Sequence, residues 1–211
     1  MRKYLSFVLL GVLALVGLGA AVLGVVQSQS GTDLGQAVTT TLASPSYSEY
    51  LVERTPQGSQ TASLVYQAPD RLGGWLQSAG RRTYLVIIGS TEYISITRSA
   101  RVTGTPLTFY KQPTTGAQAV DPAHTYLPYW NCHGAPSCPT TRSGSTTTVT
   151  LSQGGQTEKL TYTVTGNYVS RFTAGVPGGT IRLDISDVGS SPSVSLPKGA
   201  KIVTAPGQSA G

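Results

Sequence analysis

The chain has 211 residues, which is enough for one ordinary domain and an additional segment. Charged residues make up only 11% of the chain, whereas glycine and the strand-favouring residues Tyr, Val, Ile and Thr are frequent. The net charge of +6 is mild, and the sequence contains neither a run of basic residues nor a nucleic-acid-binding motif. This composition excludes a nucleic-acid-binding protein and favours a domain built mainly from a β-sheet.

The N-terminus carries an apolar segment from Leu5 to Val26, interrupted by a single serine. A spanning helix needs about 20 apolar residues, whereas the apolar core of a cleavable signal peptide has about 7–15. Residues 1–26 are therefore predicted to be a membrane anchor or uncleaved signal segment, and signal cleavage is the alternative. Because Arg2 and Lys3 precede the segment, the positive-inside rule predicts a single-pass protein of the cytoplasmic membrane, with the domain that follows outside it.

Residues 27–31 are small and polar and are predicted to be a linker. A short helix is predicted from Thr32, as its cap, to Ser44, and Pro45 ends it. Its apolar residues share one face at helical spacing; they are Leu34, Ala37, Val38 and Leu42.

From Tyr47 the pattern changes to the period of two that strands show. YSEYLVERT is one predicted strand, and QTASLVYQA is a second, in which alternate residues from Ala62 to Tyr66 share a face. RTYLVIIG is apolar on both faces, as in a covered strand. The residues GST then turn it into EYISITRS, which predicts a hairpin, and TPLTFYKQ is a further strand.

The segment that follows is irregular and rich in proline. Asp121 is predicted to cap one helical turn that begins at Pro122. The aromatic and apolar residues after it are interpreted as a plug that packs on the sheet, or alternatively as a ligand gate; they are Tyr126, Leu127, Tyr129 and Trp130.

Cys132 and Cys138 lie close together in WNCHGAPSCP. In an oxidising compartment two such cysteines predict a disulfide. The alternative, a metal site that also uses His133, lacks both a Cys-x₂-Cys spacing and a fourth ligand. We therefore expect a disulfide, with no metal and no cofactor.

The last third predicts an antiparallel meander, because alternating strands are separated by the hairpin pairs Gly154-Gly155 and Gly166-Asn167. Together with the earlier strands this predicts about ten strands in one domain over residues 32–198. Residues 199–211 are predicted to be a flexible tail.

Three motifs occur in order, and together they resemble a known family. They are YQAPDR at residues 66–71, IGSTEY at residues 88–93 and ISDVGSSPSVSLP at residues 185–197. They resemble the LolA/LolB-like lipoprotein-carrier superfamily, and more closely the mycobacterial-type lipid-carrying lipoproteins, although this chain lacks their lipobox cysteine. The resemblance implies a mainly β (α+β) fold, a strongly curved antiparallel half-barrel with one or two short helices on its concave side.

The resemblance also implies a function without covalent chemistry, in which a membrane-anchored extracytoplasmic domain binds or carries a lipid or lipoprotein acyl chain. The alternative is a cell-envelope interaction or structural module with a packed core and no cavity. An enzyme is not expected, because the one Gly-x-Ser-x-Gly match, at residues 207–211, has no helix after it. The apolar residues expected to line a cavity are Leu64, Tyr66, Val86, Ile88, Ile94, Ile96, Leu160, Tyr162, Leu183 and Trp130.

Overall fold

The structure is a computed structural model that describes residues 31–97, 107–134, 138–153, 156–176, 178–190 and 193–204. These residues form helices α1 (Gly31–Leu42) and α2 (Pro122–Tyr126), followed by a 3₁₀-helix (Leu127–Gly134). The strands are β1 (Ser46–Thr55), β2 (Gly58–Gln67), β3 (Arg71–Ser78), β4 (Arg81–Ile88), β5 (Thr91–Thr97), β6 (Thr108–Pro113), β7 (Thr140–Ser143), β8 (Thr146–Gln153), β9 (Gln156–Thr165), β10 (Tyr168–Val176), β11 (Gly179–Ser186) and β12 (Lys201–Thr204).

All of the described strands belong to one curved, unclosed sheet, in the order β12-β6-β5-β4-β3-β2-β1-β11-β10-β9-β8-β7. Neighbouring strands are antiparallel except β12, which pairs in parallel with β6. The predicted mainly β fold with short helices on the concave side is confirmed, with 12 strands instead of about ten.

The additional strands lie where the sequence pattern is weakest. β3 contains the pair Gly73-Gly74, and glycine inside a strand hides the alternation that marks it. β7 lies in the segment that was predicted to be irregular. β12 lies in the predicted flexible tail, and that prediction is wrong for residues 201–204, because their pairing with β6 depends on a distant part of the chain.

Helix α1 packs on the concave face over β9 and β10. Leu34, Ala37 and Val38 are buried, as the helical spacing predicts. Thr41 completes the buried face, and its Oγ1 accepts a hydrogen bond of 2.9 Å from the backbone N–H of Val169. This N–H lies where the register between β9 and β10 shifts, so the threonine satisfies a donor near an irregular part of the ladder.

The strand β4 serves two cores. Leu85 and Ile87 belong to the main core on the concave face, whereas Val86 and Ile88 point to the other side. There a smaller cluster forms around Phe109 and is covered by the segment that contains Val194, Leu196 and Ala200. A strand covered on both faces explains why RTYLVIIG is apolar throughout.

The motifs that carry the family resemblance meet in space. The backbone N–H of Val194 donates to Oε1 of Gln67, and Val194 O accepts from the guanidinium of Arg71, both at 3.3 Å. Gly89 N–H donates to the carbonyl of Asp70 at 3.0 Å. SVSLP, residues 193–197 at the end of the third motif, forms no strand but a covering segment on the outer face.

Gly74 provides a test of the way β3 packs on β2. It has a φ of +152°, and a Cβ there would lie 2.1 Å from the carbonyl oxygen of Ser63. We expect Gly74→Ala to lower the free energy of unfolding by about 2–4 kcal/mol, from overpacking and backbone strain together. Urea-induced unfolding measures this change.

Gly58→Ala is the matched control, because Gly58 has a φ of +142° with no atom within 4 Å of the added Cβ. It should retain the backbone strain alone, about 1 kcal/mol. Equal losses in the two variants would contradict the close approach of β3 to Ser63.

Candidate functional site

The concave face is covered by α2 and the 3₁₀-helix, residues 122–134, here called the helical cover. Leu127 is fully buried, and Tyr126 stacks on Phe172 with ring centroids 5.9 Å apart. Trp130 packs against α1 so closely that a Cβ on Gly35 would lie 2.6 Å from its ring. In this arrangement the aromatic residues of the cover act as a plug on the sheet and on α1.

Asp121 attaches the start of the cover to the sheet. It is fully buried and caps α2 as predicted, with Oδ2 accepting the N–H of His124 at 3.0 Å. The same oxygen accepts the hydroxyl of Tyr47 on β1 at 2.7 Å and lies 2.7 Å from Nδ1 of His124. The ring of Tyr47 stacks on that of Tyr66, with centroids 4.9 Å apart. One carboxylate therefore connects the start of α2 to β1 directly, and to β2 through the stacked ring of Tyr47.

Glu49 joins this cluster from the next inward position of β1. Its Oε1 accepts the backbone N–H of Ala123 at 2.8 Å. Burial, and then the neighbouring Asp121, raises the pKa of Glu49 well above its ordinary value. The remaining buried oxygens, Oε2 of Glu49 and Oδ1 of Asp121, have no other hydrogen-bond partner in the described structure. The raised pKa therefore keeps the proton on Glu49 at pH values where an ordinary glutamate has lost it, because burial and a neighbouring acid both disfavour the charged form.

A small cavity lies beside this cluster, between the cover and strands β1 to β3. Its volume is about 30 Å³, enough for one or two water molecules. Pockets for drug-sized ligands measure about 300–1,000 Å³. The cavity is lined by Leu51, Glu53, Gln60, Thr61, Ala62, Leu76, Val120, Pro122, Thr125 and Tyr126.

Most of the residues expected to line a cavity are packed in the main core under α1 and the cover: Leu64, Tyr66, Ile94, Leu160, Tyr162 and Leu183. Trp130 is half-buried against that core. Val86 and Ile88 belong to the outer cluster instead, because alternate residues of β4 face opposite sides of the sheet. The side chain of Ile96 lies outside the described residues.

The residues that line the small cavity were missed from the sequence. In YSEYLVERT the inward positions are Tyr47, Glu49, Leu51 and Glu53, and the outward ones include Tyr50 and Val52. Both sets mix apolar and polar residues, so alternation alone does not identify the buried set. The signal that could have identified it is the pair of glutamates at alternate positions in a strand otherwise rich in apolar residues.

The cysteines are only partly described. Cys138 is disulfide-bonded. Cys132 is the only other cysteine of the sequence, but its side chain lies outside the described residues, so the pairing itself stays a prediction. Among the described residues, no group of three or more His, Cys, Asp or Glu side chains could hold a metal ion.

The predicted membrane segment at residues 1–26 lies outside the described residues. Within the part of the chain that the structure describes, no helix has the length and apolar character needed to cross a membrane.

The chain was compared with known proteins. It matches no family profile and no curated protein. Among solved structures it is similar to LprF from Mycobacterium bovis, with 13% identity, a TM-score of 0.51, and coverage of 84% of this chain and 100% of LprF. It also matches the Mycobacterium tuberculosis lipoprotein LppX, with 11% identity, a TM-score of 0.49, and coverage of 80% of this chain and 100% of LppX. The likeness to LprF confirms the predicted resemblance at the level of the fold.

The hydroxyl of Tyr47 is expected to stabilise the attachment of the cover. Tyr47→Phe should lower the free energy of unfolding by about 1.5–3 kcal/mol, because a buried carboxyl loses a hydrogen-bond donor. The matched control is Tyr162→Phe, since Tyr162 is equally buried and its hydroxyl has no hydrogen-bond partner in the described structure. Denaturant unfolding of both variants checks this, and a loss of similar size in the control would contradict it.

The raised pKa of Glu49 predicts a pH dependence of stability. Because the folded state holds the proton of Glu49 above the ordinary pKa of 4.5, the free energy of unfolding should fall as pH rises from about 4.5 towards the raised pKa. Glu49→Gln keeps a neutral donor and acceptor at the same place and cannot lose a proton. We expect it to flatten this decline in urea titrations at a series of pH values.

The half-buried Glu158 on β9 provides the control for this prediction, and Glu158→Gln should leave the decline unchanged. An unaltered pH profile in Glu49→Gln would show that the proton is not held at Glu49.

Proposed function

We propose that the chain is a non-catalytic extracytoplasmic protein that binds the acyl chain of a lipid or lipoprotein between the sheet and the helical cover. The observation that supports this most directly is the architecture of the concave face. Among the described residues, a broad apolar surface is covered there mainly by α1 and by the short cover, and not by a second sheet. The fold shared with LprF and the motifs that resemble lipid-carrying lipoproteins point to the same function.

Binding of an acyl chain requires the cover to move. The cavity of about 30 Å³ is roughly a tenth of the smallest usual ligand pocket, so the structure represents a closed form. Each buried methylene contributes about 0.8 kcal/mol, so ten of them contribute about 8 kcal/mol. This gain would offset the contacts of the cover that are lost when it lifts from the core.

The ligand would then lie between the lifted cover and the sheet, against Trp130 of the cover and against the sheet residues Leu64, Tyr66, Ile94, Leu160, Tyr162 and Leu183. All of these residues belong to or pack against the main core. They are proposed to form the ligand-binding surface of the open form.

The proposed location is the outer side of the cytoplasmic membrane, with residues 1–26 as the anchor, or secretion if that segment is cleaved. A Cys132–Cys138 disulfide would fit such an oxidising compartment and would constrain the end of the cover. N-terminal sequencing of the mature protein distinguishes an anchored chain from a cleaved one.

A second candidate is a cell-envelope interaction module with a permanently packed core. The small size of the cavity favours it, because a carrier that never opens has no space for a chain.

Lipid extraction and probe uptake distinguish the two candidates. The full chain, purified without added lipid, should release lipid that mass spectrometry detects, and after delipidation it should take up an uncharged pyrene-labelled long-chain alcohol. The chain has 2 tryptophans, so in a Trp75→Phe variant Trp130 alone should report the probe by a change in its fluorescence. Trp75 is dispensable for this purpose because it packs against Arg82, with its ring centroid 4.1 Å from the guanidinium carbon.

The control is Trp130→Phe, in which Trp75 remains as the reporter and should respond weakly. No extractable lipid together with no uptake at micromolar protein would favour the packed module over the carrier.

A further inference from the structure

The charged side chains that the described structure buries are all carboxylic acids. They are Glu49, Glu53, Glu92 and Asp121, and each is 7% exposed or less. Their cross-strand and core neighbours place them on the concave side of the sheet; for example, Glu53 lies opposite Gln60 on β2 and Ile181 on β11. The side of the protein proposed to bind a ligand is therefore acidic as well as apolar.

Three of these acids have partners within the protein. Glu49 and Asp121 hold each other and the start of the cover, as described above. On β5, Oε2 of Glu92 accepts a hydrogen bond of 2.6 Å from the side-chain amide of Gln112. Each of these three acids accepts at least one hydrogen bond within the protein.

Glu53 differs from the other three acids. It makes no hydrogen bond and no ion pair among the described residues, although only 7% of its surface is exposed. It lines the small cavity. Desolvation raises the pKa of Glu53. Burial first, and then the charge of Glu53, raise the pKa of Tyr126, on the opposite wall, to about 12. The carboxyl of Glu53 thus faces the cavity with its hydrogen-bonding capacity unused by the protein, which leaves it available to an external donor.

The cavity around Glu53 is divided into an apolar and a polar part. Its apolar part includes Leu51, Ala62, Leu76, Val120 and Pro122. Its polar part consists of Glu53 with the amide of Gln60 and the hydroxyl groups of Thr61, Thr125 and Tyr126. No basic side chain lines it. This arrangement suits the polar end of an amphiphile whose tail continues under the cover.

We propose that Glu53 and the cavity around it form a head-group site that selects amphiphiles with a primary ammonium group. An ammonium brings three donors and a positive charge, which the unpartnered carboxyl of Glu53 and the nearby side-chain oxygens can accept. A carboxylate or phosphate head would instead meet a set of acids, and like charges disfavour each other at close range. The proposal rests on the proposed acyl-chain binding and adds the chemical class of the ligand.

Three pyrene-labelled probes of equal chain length test this proposal: an alkylamine, the corresponding alcohol and the corresponding carboxylic acid. Each probe is titrated into the delipidated full chain at neutral pH. We expect the amine to bind on the order of tenfold or more tightly than the acid, as expected for a hydrogen bond to a charged group. In Glu53→Gln the affinity for the amine should fall by about tenfold, whereas the affinity for the alcohol should change little.

Glu92→Gln is the matched control, because Glu92 has the same 7% exposure but lies on β5 and is already paired with Gln112. It should leave the order of the three probes unchanged. If Glu53→Gln does not fold, as judged by circular dichroism, then Glu53→Asp, which keeps the charge, should retain the preference for the amine.

The outcomes separate the two proposals. Binding of the alcohol without a preference for the amine, or a preference that survives in Glu53→Gln, overturns the head-group site and leaves acyl-chain binding intact. Failure of all three probes to bind overturns acyl-chain binding itself.

Discussion

The packing of the helical cover on the sheet depends on one buried carboxylate, Asp121. Its Oδ2 accepts the backbone N–H of His124 and the hydroxyl of Tyr47, so it fixes where the cover begins and where it touches the sheet. A buried carboxylate requires such partners, because an unpaired one would cost several kcal/mol. The partners of Asp121 therefore constrain the position of every residue that follows in the cover.

The open shape of the sheet explains why the cover must be held in place. Its two ends, β12 and β7, do not pair with each other, so the concave face cannot close on itself. The apolar side chains of β1, β2, β4 and β9 to β11 must be covered by something else. α1 covers one part of this surface, and the helical cover, held by Asp121 and by the packing of Trp130 on Gly35, covers another. A short cover held at a few points therefore closes this part of the core.

The acids on the concave side are of two kinds. Glu49 and Asp121 are used by the fold itself, because each accepts a backbone N–H at the start of the cover. Glu53, two inward positions further along the same strand, has no such use. The same strand thus carries one glutamate that holds the cover and another that faces the adjoining cavity.

Local patterns in the sequence predicted a large part of the fold. The hairpin of β4 and β5, the meander of β8 to β11 and the cap formed by Asp121 and Pro122 were all predicted from residues a few positions apart. β3 was missed because Gly73 and Gly74 interrupt its alternation, and the reason for these glycines lies in other strands and segments. A Cβ on Gly74 would meet Ser63, and one on Gly73 would meet Val194.

The candidate site could be predicted only in part. The apolar residues of β2, β9 and β11 that were expected to face inward do so, whereas Val86 and Ile88 face outward. In β4 both sets of alternate residues are apolar, and only the segment that contains Val194 reveals that the outer set is covered as well. The sequence offered no reason to prefer Leu85 and Ile87 over Val86 and Ile88 as the inward-facing residues of β4.

The sequence by itself determined most of the strands, their turns and the start of α2, because these depend on propensities and hydrogen bonds within a few residues. Only the tertiary structure decided which face is concave, where β12 pairs and which acids are partnered. Tyr47 and Asp121 are 74 residues apart, and so are Glu49 and Ala123. Contacts over such separations depend on how the whole sheet curves and pairs, and the spacing of residues along the chain does not specify them.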